Sequence, residues 1–409
     1  MGKHIHGGNV YKYADCIDFS ANCNPLGTPE SVIRAGRESL NKVSDYPEVG
    51  YLPLRAAIAE YERRMSNPPF QMHGALSGGN GECSCQVGIS KPHLTSCVAA
   101  CVHEEAAKAD QVPLGYSERP LYCESGVKPD QVICGNGAAE LIFTLCRALS
   151  PKHALLLAPT FAEYQQALES VGCELTYHYL LEENGFRLQQ DFLEKLTKEL
   201  DVVFLCNPNN PTGILTEKAF LLQVLERCRE NQIFLVVDEC FQDFIRQPER
   251  YTLKAKLHTC DNLFLLKAFT KRYAMAGIRL GYGLTGNEVL LEQMERCVQP
   301  WNISTIAQAC GMAALQENEY VERGRRIIFQ ERDYLKNEMS RLGLKVYDSR
   351  ANYLFFHGPY DLFERCIQKK ILIRDCSNYE GLMPGYYRIA VKLHEDNVRL
   401  IQALQEVLS

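Results

Sequence analysis

The chain has 409 residues, 46% of them hydrophobic and 23% charged, with a formal net charge of −6. That length is enough to bury a large core divided over two or three domains, and the composition is that of an ordinary globular protein. The negative balance argues against nucleic acid as a partner, and no run of about 18 apolar residues offers a membrane span. The start, MGKHIHGGNVYKYADCIDF, has no apolar core for a secretory signal and no Ser or Thr at position 6 for myristoylation, so a cytoplasmic location is expected. Most of the 18 cysteines stand singly in otherwise regular stretches, as Cys206 and Cys310 do. That suits small buried hydrophobes in a reducing compartment rather than a disulfide scaffold.

In chain order, residues 1–30 read as an extended arm rich in Gly, Asn and Pro. A helix is expected over 29–40, then a loop with Tyr46 and Pro47, then a helix over 52–64. In the second helix Leu54, Ala57, Ile58 and Tyr61 recur at helical spacing. From about residue 66 to 126 no period is sustained, and the two flanks would join without the segment, which is therefore read as an insertion. It holds Cys83, Cys85, Cys97, Cys101 and Cys123, with His93 and His103 between them. The C-x-C and C-x-x-x-C spacings match no zinc template, so a surface loop and no metal site is the expectation.

Residues 128–290 alternate strand and helix. Beyond a strand at the VICG run, strands fit 153–158, 173–180, 202–206, 233–238, 262–267 and 278–284, and helices fit 138–149, 160–171, 216–231 and 286–299. This alternation predicts a mostly parallel sheet with helices on both faces, with ligands bound beyond the carboxyl ends of the strands. Residues 305–342 read as helical with a break near Asn318. A small α+β domain follows, with strands near 345–347, 352–356, 371–374 and 386–391 and helices over 360–369 and 394–408. The expected division is an arm and part of a small domain (1–45), a large domain (46–300), and a linker helix with the small C-terminal domain (301–409).

The chemistry concentrates in a few strings. LLKAFTKRYAMAGIRLGY (265–282) places Lys271 in a polar turn with Arg279 eight residues later, an amine and a guanidinium suited to one phosphorylated aldehyde. NPNNPTG (207–213) is a turn string, VVDE (236–239) ends a strand on Asp238, and APTFAEY (158–164) carries Phe161. GNGAAE (135–140) joins a strand to a helix whose N-terminus would suit a phosphate.

As an ordered set, these strings resemble the aspartate-aminotransferase-like (fold type I) enzymes, which use pyridoxal 5'-phosphate. The resemblance covers the chain outside the insertion. It implies an α/β fold with a large cofactor-binding domain, a small C-terminal domain, and a homodimer. It also implies that Lys271 forms an imine with the cofactor and then shuttles a proton at the substrate's Cα. Asp238 would pair with the ring nitrogen, making the ring an electron sink, and Asn210 would donate to its phenolic oxygen. Phe161 would stack on the ring. Gly137, Ala138, Ala139, Thr270 and Arg279 would hold the phosphate, with Tyr46 reaching a phosphate from a neighbouring subunit. Ala268 stands where relatives often carry a serine, and Ala138 and Ala139 stand where some carry hydroxyls, so the phosphate grip is thinner than usual.

The arm narrows the resemblance. His6-Gly7-Gly8-Asn9, the run Asp18 to Gly27, Asp238 to Phe244, and Ile373 to Asn378 resemble the threonine-phosphate decarboxylases, close to the histidinol-phosphate aminotransferases. This implies a small phosphorylated amino acid, L-threonine O-3-phosphate or a close analogue, decarboxylated to aminopropanol phosphate for cobalamin synthesis. Its anionic groups would meet His6, Asn22, Arg374 and Arg388, since arginine's planar fork suits phosphate and carboxylate. Whether CO2 or a proton leaves depends on which Cα bond stands perpendicular to the imine plane, and the same residues serve both outcomes. Transamination of histidinol phosphate is thus the alternative, and a non-catalytic binding descendant is a third reading.

Overall fold

The computed structural model describes residues 11–66 and 126–409, which fall in one compact unit. His6 and residues 67–125, with the insertion's cysteines and histidines, lie outside the described residues. The elements in order are β1 (Ile17–Asp18), α1 (Glu30–Ser39), α2 (Leu52–Ser66), β2 (Val132–Gly135), α3 (Ala138–Leu149), β3 (His153–Ala158), α4 (Ala162–Glu169) and β4 (Glu174–Tyr179). Next come α5 (Phe192–Lys195), β5 (Val202–Cys206), α6 (Lys218–Glu230), β6 (Phe234–Asp238), β7 (Leu263–Ala268), α7 (Phe269–Arg272), β8 (Gly281–Leu284) and α8 (Glu288–Cys297). The remainder is α9 (Thr305–Ala314), α10 (Asn318–Arg341), β9 (Lys345–Val346), β10 (Tyr353–His357), α11 (Leu362–Gln368), β11 (Ile371–Leu372), β12 (Arg374–Asp375), β13 (Tyr386–Ala390) and α12 (His394–Leu408).

Seven strands form the main sheet in the order β2-β8-β7-β6-β5-β3-β4, with β8 antiparallel to both neighbours. The interior strands β5 and β7 are buried at every position, β5 as a continuous apolar run and β7 with Lys267 as its one charged residue, as expected where helices cover both faces. Alternate residues serve the two cores. Val203, Leu205, Leu235, Val237 and Leu265 enter one, and Val202, Phe204, Val236, Phe264 and Leu266 enter the other. The edge strand β4 alternates exposed and partly buried residues over its first four positions. Of the described cysteines all are free thiols and ten are buried.

Three expectations are corrected. The strand anticipated over 278–284 begins only at Gly281, because Arg279 takes φ +60° and cannot continue a pleat. The strand anticipated over 371–374 is two: β11 pairs in parallel with β1, and β12 pairs with β13 in a separate four-stranded sheet. Lys271 sits not in a polar turn but in the short helix α7, flanked by buried Thr270 and Arg272.

The arm is fastened on both sides of the site. Asn24 N–H donates to the Lys271 carbonyl (2.9 Å) and its Nδ2 to the Arg272 carbonyl (3.0 Å). Phe19 N–H donates to Leu372 and its carbonyl accepts from Ala390 N–H (2.8 and 2.7 Å). Residues 20–24 therefore pass between α7 and the C-terminal sheet, which is what brings Asn22 into the site.

Beneath β7, Glu62 on α2 is buried among cations. Its carboxylate accepts from Lys254 (2.6 Å) and Tyr282 (2.6 Å), and Lys267, itself bonded to Glu239 (3.0 Å), lies 3.8 Å away. Burial alone would raise the Glu62 carboxyl, but Lys267 and Lys254 hold it down to about 2, from an ordinary 4.5. A depressed carboxyl stabilises the fold above its unfolded pKa and loses that contribution as pH falls through the folded one. Glu62 thus contributes to acid resistance between about pH 4.5 and 2. Glu62→Ala is expected to destabilise the protein by about 3–5 kcal/mol, since it leaves the buried Lys254 ammonium without its carboxylate. Urea unfolding at neutral pH measures it.

Candidate active site

The carboxyl ends of β5, β6 and β7, the N-terminus of α3, the arm and the C-terminal sheet enclose a cavity of about 260 Å³. Asn22, Ala138, Ala139, Phe161, Asn210, Asp238, Thr270, Lys271, Arg279, Arg374 and Arg388 all line it, although they span more than 360 positions of sequence. Gly137 lies directly under the Arg279 guanidinium. Tyr46 is outside the cavity, 79% exposed and stacked on Trp301 at 4.3 Å. His6 is outside the described residues.

One end of the cavity is built for a phosphate. Gly137 has φ +85°, and a Cβ there would fall 2.4 Å from Arg279 Nη2, so only glycine lets the guanidinium reach the helix start. A Cβ on Gly281 would likewise strike Ala138 N at 2.5 Å. These two glycines bring β8 against the N-terminus of α3, whose first N–H groups have no intrahelical acceptor and whose dipole is positive. Arg279 holds its left-handed backbone, at a cost of about 1–2 kcal/mol, while Nη1 donates to the Ala276 carbonyl (3.0 Å). Strain of this kind is kept where it aims a side chain. The Thr270 hydroxyl and Ala268 complete this wall.

Lys271 lies at the centre. Burial, with the charges of Arg388 and Arg279, lowers its ammonium from the ordinary 10.5, although Cys23 and Cys240 act in the opposite sense. More of the amine is therefore neutral and nucleophilic.

Asp238 closes β6 and is 5% exposed. Burial pushes its carboxyl above the ordinary 3.8 even though Cys240 N–H (2.9 Å) and the Tyr164 hydroxyl (2.5 Å) donate to it. Both of these donors are neutral, which leaves the carboxylate suited to a cationic ligand atom. Tyr164 went unnoticed in the sequence, but its signal was there: it follows Phe161 by three, so both rise from the start of α4 on one face. The two rings meet edge to face at 5.5 Å.

The opposite end is cationic. Arg374 and Arg388 are direct cross-strand partners on β12 and β13, 7% and 5% exposed, and both line the cavity. Like charges placed so repel unless an anion lies between them. Arg388 donates to Asn210 Oδ1 (2.5 Å) and to the Ser20 carbonyl (2.9 Å), and its Nε has no partner among the described residues. With Oδ1 held, the Asn210 amide turns its donor end elsewhere. Arg374 donates to the Asp375 carbonyl (2.7 Å) and Asn378 Oδ1 (2.8 Å). Asn22 Nδ2 is buried without a partner among the described residues. A phosphate cradle, a lysine whose ammonium is lowered by burial, a buried carboxylate held by a tyrosine hydroxyl, and unspent donors on the far side together fit pyridoxal phosphate with an anionic substrate beside it. Among the described residues no group of three His, Cys, Asp or Glu could hold a metal, and no helix is long and apolar enough to cross a membrane.

Comparison with known proteins agrees with this geometry. The family described as aminotransferase class I and II matches residues 124–404. The chain is 33% identical to the threonine-phosphate decarboxylase of Salmonella typhimurium, over 99% of this chain and 96% of that protein. It is 27% identical to the histidinol-phosphate aminotransferase of Methanopyrus kandleri, over 96% of this chain and 88% of that protein. The crystal structure of the histidinol-phosphate aminotransferase from Clostridium acetobutylicum superposes with a TM-score of 0.75 at 25% identity, covering 95% of this chain and 98% of that one. The chain belongs to the aminotransferase class I and II family of pyridoxal-phosphate-dependent enzymes.

Proposed function

We propose that this enzyme binds pyridoxal phosphate and decarboxylates L-threonine O-3-phosphate or a close phosphorylated amino acid. The observation that carries this reading is the buried pair Arg374 and Arg388, set in register on adjacent strands in the wall that faces Lys271. A substrate with both a carboxylate and a phosphate meets that charge, and the likeness to the Salmonella protein selects loss of CO2 over transamination.

Pyridoxal phosphate, when bound, supplies an electron sink for the pair left on the substrate's α-carbon. Arg279, Thr270 and the N-terminus of α3 hold its phosphate, and Phe161 covers its ring. Asp238 keeps the ring nitrogen protonated, and Tyr164 fixes that carboxylate. Asn210, turned by Arg388, donates to the ring oxygen. Lys271, whose ammonium burial lowers from the ordinary 10.5, would carry the proton that the substrate's α-carbon takes up in place of CO2. Arg388 and Arg374 grip the anionic ends, and Asn22 Nδ2 adds a donor.

Release of CO2 from L-threonine O-3-phosphate tests this reading. No CO2, with 2-oxoglutarate-dependent consumption of histidinol phosphate instead, would replace it by the aminotransferase reading, which the likeness to the Clostridium structure favours. Tyr164→Phe keeps the stacking on Phe204 (5.1 Å) but removes the donor to Asp238. The expected result is a roughly tenfold weaker hold on pyridoxal phosphate, read by fluorescence titration, corresponding to about 1.5 kcal/mol for a hydrogen bond to a charged group.

The enzyme is further proposed to be a homodimer. Tyr46 and Trp301 form an exposed aromatic stack, and Leu40, Val43, Val49 and Leu52 along the same stretch of chain are exposed as well. An apolar patch of that kind suits a second copy, and it would carry Tyr46 towards the partner's phosphate site. Light scattering after size exclusion gives the mass, and a monomer at micromolar concentration would refute the proposal.

A further inference from the structure

A second, smaller cleft of about 150 Å³ lies away from Lys271, where α10 and the turn between β9 and β10 meet the loops after β4, β5 and β6. Four arginines line it: Arg187, Arg246, Arg332 and Arg350. Among the described residues two carboxylates share the wall, Asp348 and Glu217. Asp348 is already divided among Arg350 (3.1 Å), Lys336 (3.2 Å) and Arg187 (3.3 Å).

Arg332 is the telling residue. It is 7% exposed, and its hydrogen bonds among the described residues run from Nη1 alone, to the carbonyls of Arg350 (2.7 Å) and Ala351 (3.0 Å). It has no carboxylate of its own there. Its other close contact is the Phe329 ring at 5.4 Å, which the Arg246 guanidinium also approaches, at 4.8 Å. Burial, with the charges of Arg350 and Arg246, pulls the Arg332 guanidinium down to about 10, although Asp333 and Asp348 act in the opposite sense. A buried guanidinium is costly without an anionic partner, and its unspent donors form a planar fork that matches an oxyanion.

We propose that this cleft is an anion-binding site separate from the catalytic cavity, taking a small phosphate-type dianion, either free or as a phosphomonoester. The four arginines of the wall outnumber its two carboxylates by two, the charge of such a group, and the volume has room for one tetrahedral oxyanion and a small ester. Arg332 supplies the buried contact, and Arg246 and Arg350 close over it from the exposed rim. None of these residues touches the catalytic cavity, so the site stands independently of the proposed reaction.

The test is calorimetric titration of the pyridoxal-phosphate-loaded protein with inorganic phosphate and, separately, with glycerol 3-phosphate. Both are run on Arg388→Met, which weakens phosphate binding in the catalytic cavity. Adding Arg246→Ser and Arg350→Ser, both at exposed positions, is expected to lower the remaining affinity tenfold or more. Arg332→Met should do the same, and if it does not fold, the exposed pair decides. Binding of both ligands means that free phosphate suffices, and binding of glycerol 3-phosphate alone means that an ester is required; either supports the site. A change smaller than tenfold on removing Arg246 and Arg350, or no binding of either ligand, overturns it.

Discussion

Lys271→Ala is expected to abolish turnover and, in the same stroke, the visible absorbance of the protein-bound cofactor. Loss of the proton shuttle alone is worth about 10²–10⁴-fold, and loss of the covalent anchor adds to it. The protein should still fold, because the α7 backbone is held by the Asn24–Lys271 and Met275–Thr270 hydrogen bonds rather than by the lysine side chain. The pH dependence has a defined sign. Burial and the neighbouring arginines lower the Lys271 ammonium below 10.5, so loading of the cofactor-free protein with pyridoxal phosphate should quicken as pH climbs through that lowered value and the amine loses its proton. The same shift acts on stability. Between the folded value and 10.5, the unfolded chain binds more protons at this site than the native protein, so cofactor-free protein gains stability as pH rises through that window. Lys271→Met should remove that pH dependence and raise the melting temperature of cofactor-free protein. Wild-type spectra and rates in the alanine variant would refute the assignment of this lysine.

Arg388→Met is expected to lower kcat/KM by about 10²-fold, or roughly 3 kcal/mol, the usual cost of truncating one buried charge that pairs with a ligand anion. Two losses contribute. The substrate anion loses a guanidinium, and Asn210 Oδ1 and the Ser20 carbonyl lose their donor. The second loss frees the Asn210 amide to rotate, so the cofactor's spectrum should shift as well as the rate. Arg388→Lys restores charge without the fork and should recover only part of the activity. Steady-state kinetics on L-threonine O-3-phosphate, with absorbance spectra of each variant, separate the two contributions. A variant with unchanged KM and kcat would remove Arg388 from the site.

Much of the fold was readable because its signals are local. The strands at 153–158 and 202–206 and the helices at 138–149 and 394–408 have the bounds that periodicity and turn residues indicated. The misjudged elements are those in which a distant partner overrides the local pattern. Ile371 to Asp375 looks like one strand, yet its halves pair with β1 and β13, about 350 positions upstream and 14 downstream. Residues 278–280 look like strand, yet Arg279 gives up extended backbone to reach Gly137.

The site divides in the same way. The sequence brought the cofactor chemistry forward through a family resemblance, because a lysine, an arginine eight residues on, an aspartate ending a strand and an Asn-Pro-rich turn are local strings that carry it. It also brought Arg374, Arg388 and Asn22 forward as substrate contacts. Only the tertiary structure decided what surrounds these groups: that burial lowers the Lys271 ammonium, that Tyr164 holds Asp238, that Arg388 bonds Asn210, and that Arg374 and Arg388 are cross-strand partners. Burial and cross-strand register are properties of the packed chain, and desolvation and charge proximity, which set pKa values and orient donors, arise only once segments hundreds of residues apart share one cavity. The arginine cleft makes the same point, since nothing in the spacing of positions 187, 246, 332 and 350 foretells that folding leaves a guanidinium buried among like charges.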